Sequence, residues 1–160
     1  MKFFHKPVHQ KKIKFFIGFF NCEIILTFTI LKTPQMKQLN CIIIDDEMNA
    51  REALESLINR YLHESLKVRH LCESVQQGVS AINKFHPDLV FLDIEMPKEN
   101  GYELFKYFDP VSFDVIFVTA HEKYVSDALK FHAFDYLLKP VSHFELIETI
   151  KRYQNTKASN

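Results

Sequence analysis

The sequence predicts one α/β domain whose core is a doubly wound sheet of five parallel strands flanked by five helices. Two observations lead to this fold class. From Leu39 onward, short apolar runs alternate with segments of helical periodicity, and the 160 residues suffice for one domain with a sizeable core. Alternating strands and helices are typical of parallel sheets. Right-handed crossovers then place helices on both faces of the sheet.

Five segments have the composition of buried strands, with β-branched and other apolar residues in short runs. The second of them, K-V-R-H-L-C-E, is more polar than the others and is expected at an edge of the sheet. The predicted strands are Leu39–Ile44, Lys67–Glu73, Asp88–Asp93, Asp114–Thr119 and Asp135–Leu138.

The segments between the strands repeat their apolar residues at helical spacing. Asn49 is expected to cap the first helix, and Pro87 to stop the second. The run from Ser142 to Glu145 has the pattern of a capping box for the last helix. M-P-K-E-N-G, which ends at Gly101, is expected to form a loop. The predicted helices span residues 50–62, 75–85, 102–108, 123–131 and 143–153.

Residues 1–35 differ in composition from the rest of the chain. They contain six lysines and one acidic residue, Glu23, a balance of 6 − 1 = +5, so the remaining residues sum to −5 because the whole chain is neutral. A basic lead followed by the apolar run Phe15–Leu31 resembles a signal peptide or a membrane anchor. The run is slightly short for a membrane span, however, and Asn21 and Glu23 lie near its middle.

Met36 stands directly before the first predicted strand, where a start methionine would be expected. We therefore interpret residues 1–35 as an extension outside the fold, with a membrane-associated segment or a structural strand or helix as alternatives. Residues 36–155 would form the domain, and residues 156–160 a polar tail.

The acidic balance of the body gives no support to direct binding of nucleic acid, which usually requires a basic face. Three cysteines, Cys22, Cys41 and Cys72, are too few for a disulfide framework and favour a reducing, cytoplasmic location. Cys41 and Cys72 fall within predicted strands and are expected to be buried thiols.

Reactive side chains follow four of the predicted strands. Asp45 and Asp46 follow the first, Asp93 ends the third, Thr119 ends the fourth and Lys139 follows the fifth. They should converge, because ligands bind at the carboxyl ends of parallel strands where strand order reverses. Carboxylates this close repel unless a cation lies between them, and oxygen ligands suit Mg²⁺. A carboxylate can also form an aspartyl phosphate, which the metal, an ammonium and a hydroxyl would stabilise.

Each of these residues has an ordinary explanation when taken alone, since acidic residues favour helix N-termini and a threonine can simply end a strand. Five such residues at one sheet edge favour a phosphorylation site instead.

The motifs at the strand ends resemble a known family. Over roughly residues 38–154, the motifs resemble those of the receiver domain of two-component response regulators, in the same order. They are D-D-E after the first strand, L-D-I-E-M-P-x-x-x-G at the third, T-A at the fourth and Y-L-L-K-P at the fifth. The resemblance implies a flavodoxin-like fold, with Asp93 as the phosphoacceptor. It also implies that Asp46, Asp93 and the backbone carbonyl of Glu95 ligate Mg²⁺ directly, and that Asp45 holds it through water.

By the same resemblance, Lys139 would pair with the phosphoryl group, Thr119 would turn toward it, and Tyr136 would swing inward as part of the switch. The donor would be a sensor histidine kinase. The surface formed by residues 123–138 would contact an output domain or a partner protein, and phosphorylation could produce a homodimer. F-D-Y-L-L-K-P-V is most similar to receivers joined to LytTR-type DNA-binding domains, so the chain is expected to be a stand-alone receiver or a truncated regulator.

Two residues near the expected phosphate pocket, Glu95 and His121, are candidates for tuning its hydrolysis. The chain is not expected to be an enzyme with a turnover substrate. One alternative is an interaction module that ignores phosphate. Another alternative is a flavodoxin-like or phosphatase enzyme. The sequence argues against it, because it contains only three glycines and no glycine-rich motif that would bind phosphate.

Overall fold

The computed structural model of the chain describes residues 38–121, 131 and 133–159. These residues form five strands, three α-helices and one 3₁₀ helix. In chain order the elements are β1 Leu39–Ile44, α1 Met48–Tyr61, β2 Leu66–Cys72, α2 Val75–Phe85, β3 Leu89–Asp93, the 3₁₀ helix Gly101–Tyr107, β4 Asp114–Thr119, β5 Asp135–Leu138 and α3 His143–Ala158.

The described strands form one parallel sheet in the order β2-β1-β3-β4-β5. The predicted fold class is confirmed, and β2 lies at an edge of the described sheet as its polar composition indicated. Strand order reverses between β1 and β3, because the chain moves outward from β1 to β2 and then returns to the other side of β1. A crevice for ligands is expected at the carboxyl ends of these two strands.

Alternate side chains of each strand lie on opposite faces of the sheet, as the two-residue period of a strand requires. Ile42 and Ile44 of β1 pack on one face with residues of α2 and with Leu104 of the 3₁₀ helix. Cys41 and Ile43 pack on the other face with residues of α1 and α3. Both faces of the central strands are therefore buried, which explains why β3 is apolar at every position before its final aspartate.

Tyr153 fixes α3 to the far edge of the sheet, opposite the carboxyl ends of the strands. Its ring is 1% exposed, and its hydroxyl donates to Oδ2 of Asp114 at 2.8 Å and lies 3.1 Å from the carbonyl oxygen of Asp88. The Nζ atom of Lys157 lies 2.7 Å from the same Asp114 oxygen. Burial, followed by the bond to Asp114, raises the pKa of Tyr153.

Two predictions of helix caps are wrong in detail. The N-cap of α1 is Glu47, so Asn49 lies inside the first turn. Ser142 is the N-cap of α3, but its side chain makes no capping hydrogen bond, so the capping box does not form. The short helix predicted at residues 102–108 is present as the 3₁₀ helix Gly101–Tyr107, whose N-cap Asn100 accepts a hydrogen bond from the backbone N–H of Tyr102 at 2.9 Å.

Two predictions fall on residues that the structure does not describe. These are the extension at residues 1–35 and, apart from Phe131, the helix at residues 123–131. The last helix continues to Ala158, beyond residue 155, at which the domain was expected to end. Among the described residues, no helix is both long enough and apolar enough to cross a membrane.

Candidate functional site

Three carboxylates meet at the carboxyl ends of β1 and β3. Asp45 and Asp46 directly follow β1, and Asp93 is the last residue of β3. One carboxylate oxygen from each lies within 4.8 Å of the others. Asp45 is 4% exposed and Asp93 is 3% exposed, while Asp46 is partly buried. The cluster therefore lies at the position where the sheet topology places a ligand.

Asp45 is held by hydrogen bonds on both its backbone and its side chain. Its N–H donates to the carbonyl oxygen of Cys72 at the end of β2, at 3.0 Å. Its Oδ1 accepts the backbone N–H of Glu47 at 2.9 Å. The loop between β1 and α1 thus turns back on itself, which leaves Oδ2 of Asp45 directed at the cluster.

Lys139 joins two of the carboxylates. Its Nζ lies 2.8 Å from Oδ2 of Asp93 and 2.8 Å from Oδ2 of Asp45, and 3.8 Å from Oε1 of Glu47. Lys139 directly follows β5, and its N–H donates to the carbonyl oxygen of Thr119 at 2.8 Å. The pairing of β4 with β5 therefore continues one residue beyond β5 and fixes the direction of the lysine.

Burial and charge oppose each other in this cluster. Burial raises the pKa of Asp93, while the hydrogen bond and the charge of Lys139 act in the opposite direction and do not cancel it. Burial by itself would lower the pKa of Lys139, but hydrogen bonds to Asp45 and Asp93 outweigh it, so the pKa of Lys139 is raised. The ammonium group is therefore charged at neutral pH and offsets part of the repulsion among the carboxylates.

Thr119 and Tyr136 lie on neighbouring strands but differ in burial. Thr119 is 1% exposed, and its Oγ1 accepts the backbone N–H of His121 at 3.2 Å. Tyr136 is paired with Phe117 across β4 and β5, and its side chain is 37% exposed. In this structure the side chain of Tyr136 therefore lies at the protein surface, on β5.

Glu95 and His121, the two candidates for tuning, contact each other. The Nε2 atom of His121 lies 2.9 Å from Oε2 of Glu95. The backbone N–H of Glu95 also donates to Oδ1 of Asp93 at 3.2 Å. Sequence reasoning placed each residue near the pocket separately but missed this pair, because the two residues come from loops that are far apart in the chain.

Sequence reasoning also missed two residues of the β1–α1 segment. Glu47 contacts Lys139 as described above, and Arg51 of α1 directs its guanidinium back at the acidic loop. Its Nη1 donates to the carbonyl oxygens of Asp45 at 2.5 Å and Asp46 at 2.9 Å. A lone arginine on a partly buried helix carries no distinctive signal, so the pattern of the sequence did not reveal it.

The acidic cluster fits the magnesium ion that the motifs imply. Its donors are carboxylate oxygens that lie close together and are largely shielded from water, and Mg²⁺ is usually bound by one or two carboxylates with water or phosphate completing its shell. Among the described residues, Asp45, Asp46 and Asp93 are the group with this arrangement.

Comparison with known proteins agrees with this geometry. Residues 41–151 match the family model of the response regulator receiver domain. The chain is 42% identical to an uncharacterized response regulatory protein of Yersinia pestis over 115 residues, which are 71% of this chain and 48% of that protein. It is 34% identical to the transcriptional regulatory protein BtsR of Escherichia coli strain K12 over 121 residues, 75% of this chain and 50% of that protein.

The fold is also similar to solved structures. The crystal structure of the response regulator domain of Thermotoga maritima CheB is 26% identical, with a TM-score of 0.65, over 74% of this chain and 98% of that one. The chain spans about half the length of the curated relatives it matches. The match of the family model, together with the acidic cluster at the sheet edge, shows that this chain belongs to the response regulator receiver domain family.

Proposed function

We propose that this chain is a phosphorylatable signalling receiver, which accepts a phosphoryl group on Asp93 from the phosphohistidine of a sensor histidine kinase. The observation that supports it best is the contact of Lys139 with Asp93 at 2.8 Å inside a cluster of three carboxylates. A surface turn would leave such acidic groups solvated. Here two of them are buried and share an ammonium group, as a site for a divalent cation and a phosphoryl group requires.

In the proposed reaction, a carboxylate oxygen of Asp93 forms a bond to phosphorus while the phosphorus–nitrogen bond of the phosphohistidine breaks. The histidine leaves with the electron pair of that bond and takes up a proton. By the family resemblance, Asp46, Asp93 and the backbone carbonyl of Glu95 would hold Mg²⁺ directly and Asp45 would hold it through water, and the bound ion would supply positive charge for the phosphoryl oxygens. Lys139 would exchange part of its contact with Asp93 for a contact with the phosphoryl group.

The proposed switch uses Thr119 and Tyr136. The Thr119 hydroxyl would turn toward the phosphoryl group, and Tyr136 would leave its exposed position on β5 to fill the space that becomes available. Phosphorylation would thereby shift a pre-existing equilibrium between two states. The Glu95–His121 pair lies beside the phosphoacceptor and would tune the access of hydrolytic water. The chain would have this self-directed chemistry and no turnover substrate.

The output is proposed to pass through the surface formed by residues 123–138 to an output domain or a partner protein, with homodimer formation on phosphorylation and without direct contact of this chain with nucleic acid. The sequence F-D-Y-L-L-K-P-V supports an output of the LytTR type. The similarity to a relative that is named a transcriptional regulatory protein supports a role in gene regulation. A cytoplasmic location would follow from this pathway.

The test is phosphorylation of the full chain by a small phosphodonor, followed by intact-mass analysis. We expect the wild type to gain one phosphoryl group when Mg²⁺ is present and none when a chelator removes it. Asp93→Asn should gain none, because the amide is not a nucleophile of this kind. The matched control is Asp109→Asn, which changes an exposed aspartate outside the acidic cluster and should be labelled like the wild type.

Labelling of Asp93→Asn at the wild-type rate would contradict the assignment of the phosphoacceptor. A wild-type chain that gained no phosphoryl group and showed no Mg²⁺-dependent change with a phosphoryl mimic would instead support the phosphate-independent interaction module.

A further inference from the structure

We propose that Arg51 is a positioning residue for the magnesium site, a role that rests on the proposed function. Arg51 lies in the first turn of α1, and its own N–H donates to the carbonyl oxygen of Glu47 at 3.1 Å. Its side chain runs back along the helix toward the loop after β1. The guanidinium reaches the carbonyl oxygens of Asp45 and Asp46 at 2.5 and 2.9 Å.

These two hydrogen bonds fix the peptide planes from which the metal ligands project. A carbonyl held by a guanidinium cannot rotate freely, so the carboxylates attached to the same two residues keep their directions. The carbonyl of Asp45 is held in this way, its N–H is bonded to Cys72, and its Oδ1 to Glu47. With both sides of the loop fixed, the conformational entropy that is lost when a metal binds is smaller.

The same bonds also select which oxygens can face the cation. The carbonyl oxygens of Asp45 and Asp46 are directed at Arg51, which leaves the carboxylate oxygens for the metal. Arginine suits this task because its guanidinium is always charged and its planar group holds a fixed direction. Residues that hydrogen-bond to metal ligands without contacting the metal typically lower metal affinity by roughly 10- to 100-fold when they are removed.

The direction in which Mg²⁺ affinity changes when Arg51 is replaced distinguishes a positioning role from a simple effect of its charge. Removing a positive charge beside an acidic cluster should tighten the binding of a divalent cation if charge alone matters. Removing a positioning group should weaken it. Arg51→Met keeps an unbranched stem but removes both the charge and the donors, so the direction of the change in Mg²⁺ affinity decides between the two effects.

The experiment is a titration of the full-length chain with Mg²⁺, followed by backbone amide resonances. We expect Arg51→Met to weaken Mg²⁺ binding about 10-fold and to speed the hydrogen exchange of the Glu47 amide in the metal-free chain, because the bond from that amide to Asp45 is no longer supported. Arg51→Lys retains the charge and should recover only part of the affinity. Arg60→Met removes an exposed arginine from the last turn of the same helix and should bind like the wild type.

A urea titration with chelator present establishes that every variant is folded under the conditions of the metal titration. Equal or tighter Mg²⁺ binding by folded Arg51→Met, with unchanged exchange of the Glu47 amide, would overturn the inference while leaving the proposed function in place. Wild-type Mg²⁺ affinity of Arg51→Lys together with tighter binding by Arg51→Met would overturn the positioning role in favour of charge alone. A wild-type chain with no saturable response to Mg²⁺ would overturn both the inference and the magnesium-dependent function.

Discussion

Gly101 closes the loop that follows β3, the strand that ends at the proposed phosphoacceptor Asp93, and replacing it with alanine should disturb that strand directly. The N–H of Gly101 donates to the carbonyl oxygen of Ile94 at 2.9 Å, which draws the loop back against the end of β3. A Cβ atom at this position would lie 2.1 Å from the carbonyl oxygen of Asp93, 3.1 Å from its carbonyl carbon and 3.2 Å from Cα of Ile94. All three neighbours are backbone atoms, so no side chain can move aside to admit the methyl group.

The size of the effect follows from the displacement that this clash requires. Relieving a contact of 2.1 Å means moving the loop or the end of β3 by about 1 Å, and strain of this kind typically costs about 1–3 kcal/mol. Alanine also restricts the unfolded chain, which returns about 0.4–1 kcal/mol. The difference between these two contributions leads us to expect that Gly101→Ala lowers the free energy of unfolding by roughly 1–2 kcal/mol. Because the clash is with the backbone of Asp93, we also expect slower phosphorylation.

Gly78→Ala is a matched control within the same chain. Its Cβ would lie 2.4 Å from Cδ1 and 3.2 Å from Cγ1 of Ile44, so the atoms that must give way belong to a side chain and not to the backbone. Gly78 is also inside α2, where alanine is favoured over glycine by about 1 kcal/mol. The control should therefore change the free energy of unfolding by less than about 1 kcal/mol and leave phosphorylation unaffected.

The assay is urea unfolding followed by far-ultraviolet circular dichroism, with chelator present so that metal binding does not contribute. Phosphorylation rates are then measured on the folded proteins at saturating Mg²⁺. Unfolding of Gly101→Ala at the same urea concentration as the wild type, with an unchanged rate of phosphorylation, would contradict this prediction.

Two further predictions concern buried side chains that do not belong to the acidic cluster. Burial raises the pKa of Cys41 and of Cys72 to about 12, so only about one thiol in ten thousand is ionised at pH 8. Mass mapping should therefore find both cysteines unalkylated by iodoacetamide until the chain is unfolded. Rapid alkylation of either cysteine in the native chain would contradict this prediction. Tyr153→Phe should lower the free energy of unfolding by about 1–2 kcal/mol, because Asp114 loses a buried hydrogen-bond donor. The control is Tyr107→Phe, which changes a half-exposed ring and should alter the free energy of unfolding by less than about 0.5 kcal/mol in the same urea assay.

Much of the candidate site could be predicted because it depends on topology. In a parallel sheet all carboxyl ends lie at one edge. The residues that follow the apolar runs are therefore expected at that edge, whatever conformations the loops adopt. Asp93 at the end of β3 and Lys139 after β5 are examples, and they lie 2.8 Å apart although 46 positions separate them in the chain. Helix caps were less predictable, because a cap depends on local backbone angles; Ser142 has the expected sequence pattern but forms no side-chain bond.

The sequence by itself determined the α/β architecture and the five reactive residues at the carboxyl edge, since both follow from hydrophobic periodicity and from the direction of the strands. Only the tertiary structure decided how those residues are held. The bonds of Arg51 to two loop carbonyls, the contact of His121 with Glu95 and the approach of Gly101 to the backbone of Asp93 each depend on loop conformations. Loop conformations are set by the packing of distant elements, and no local pattern in the sequence encodes that packing.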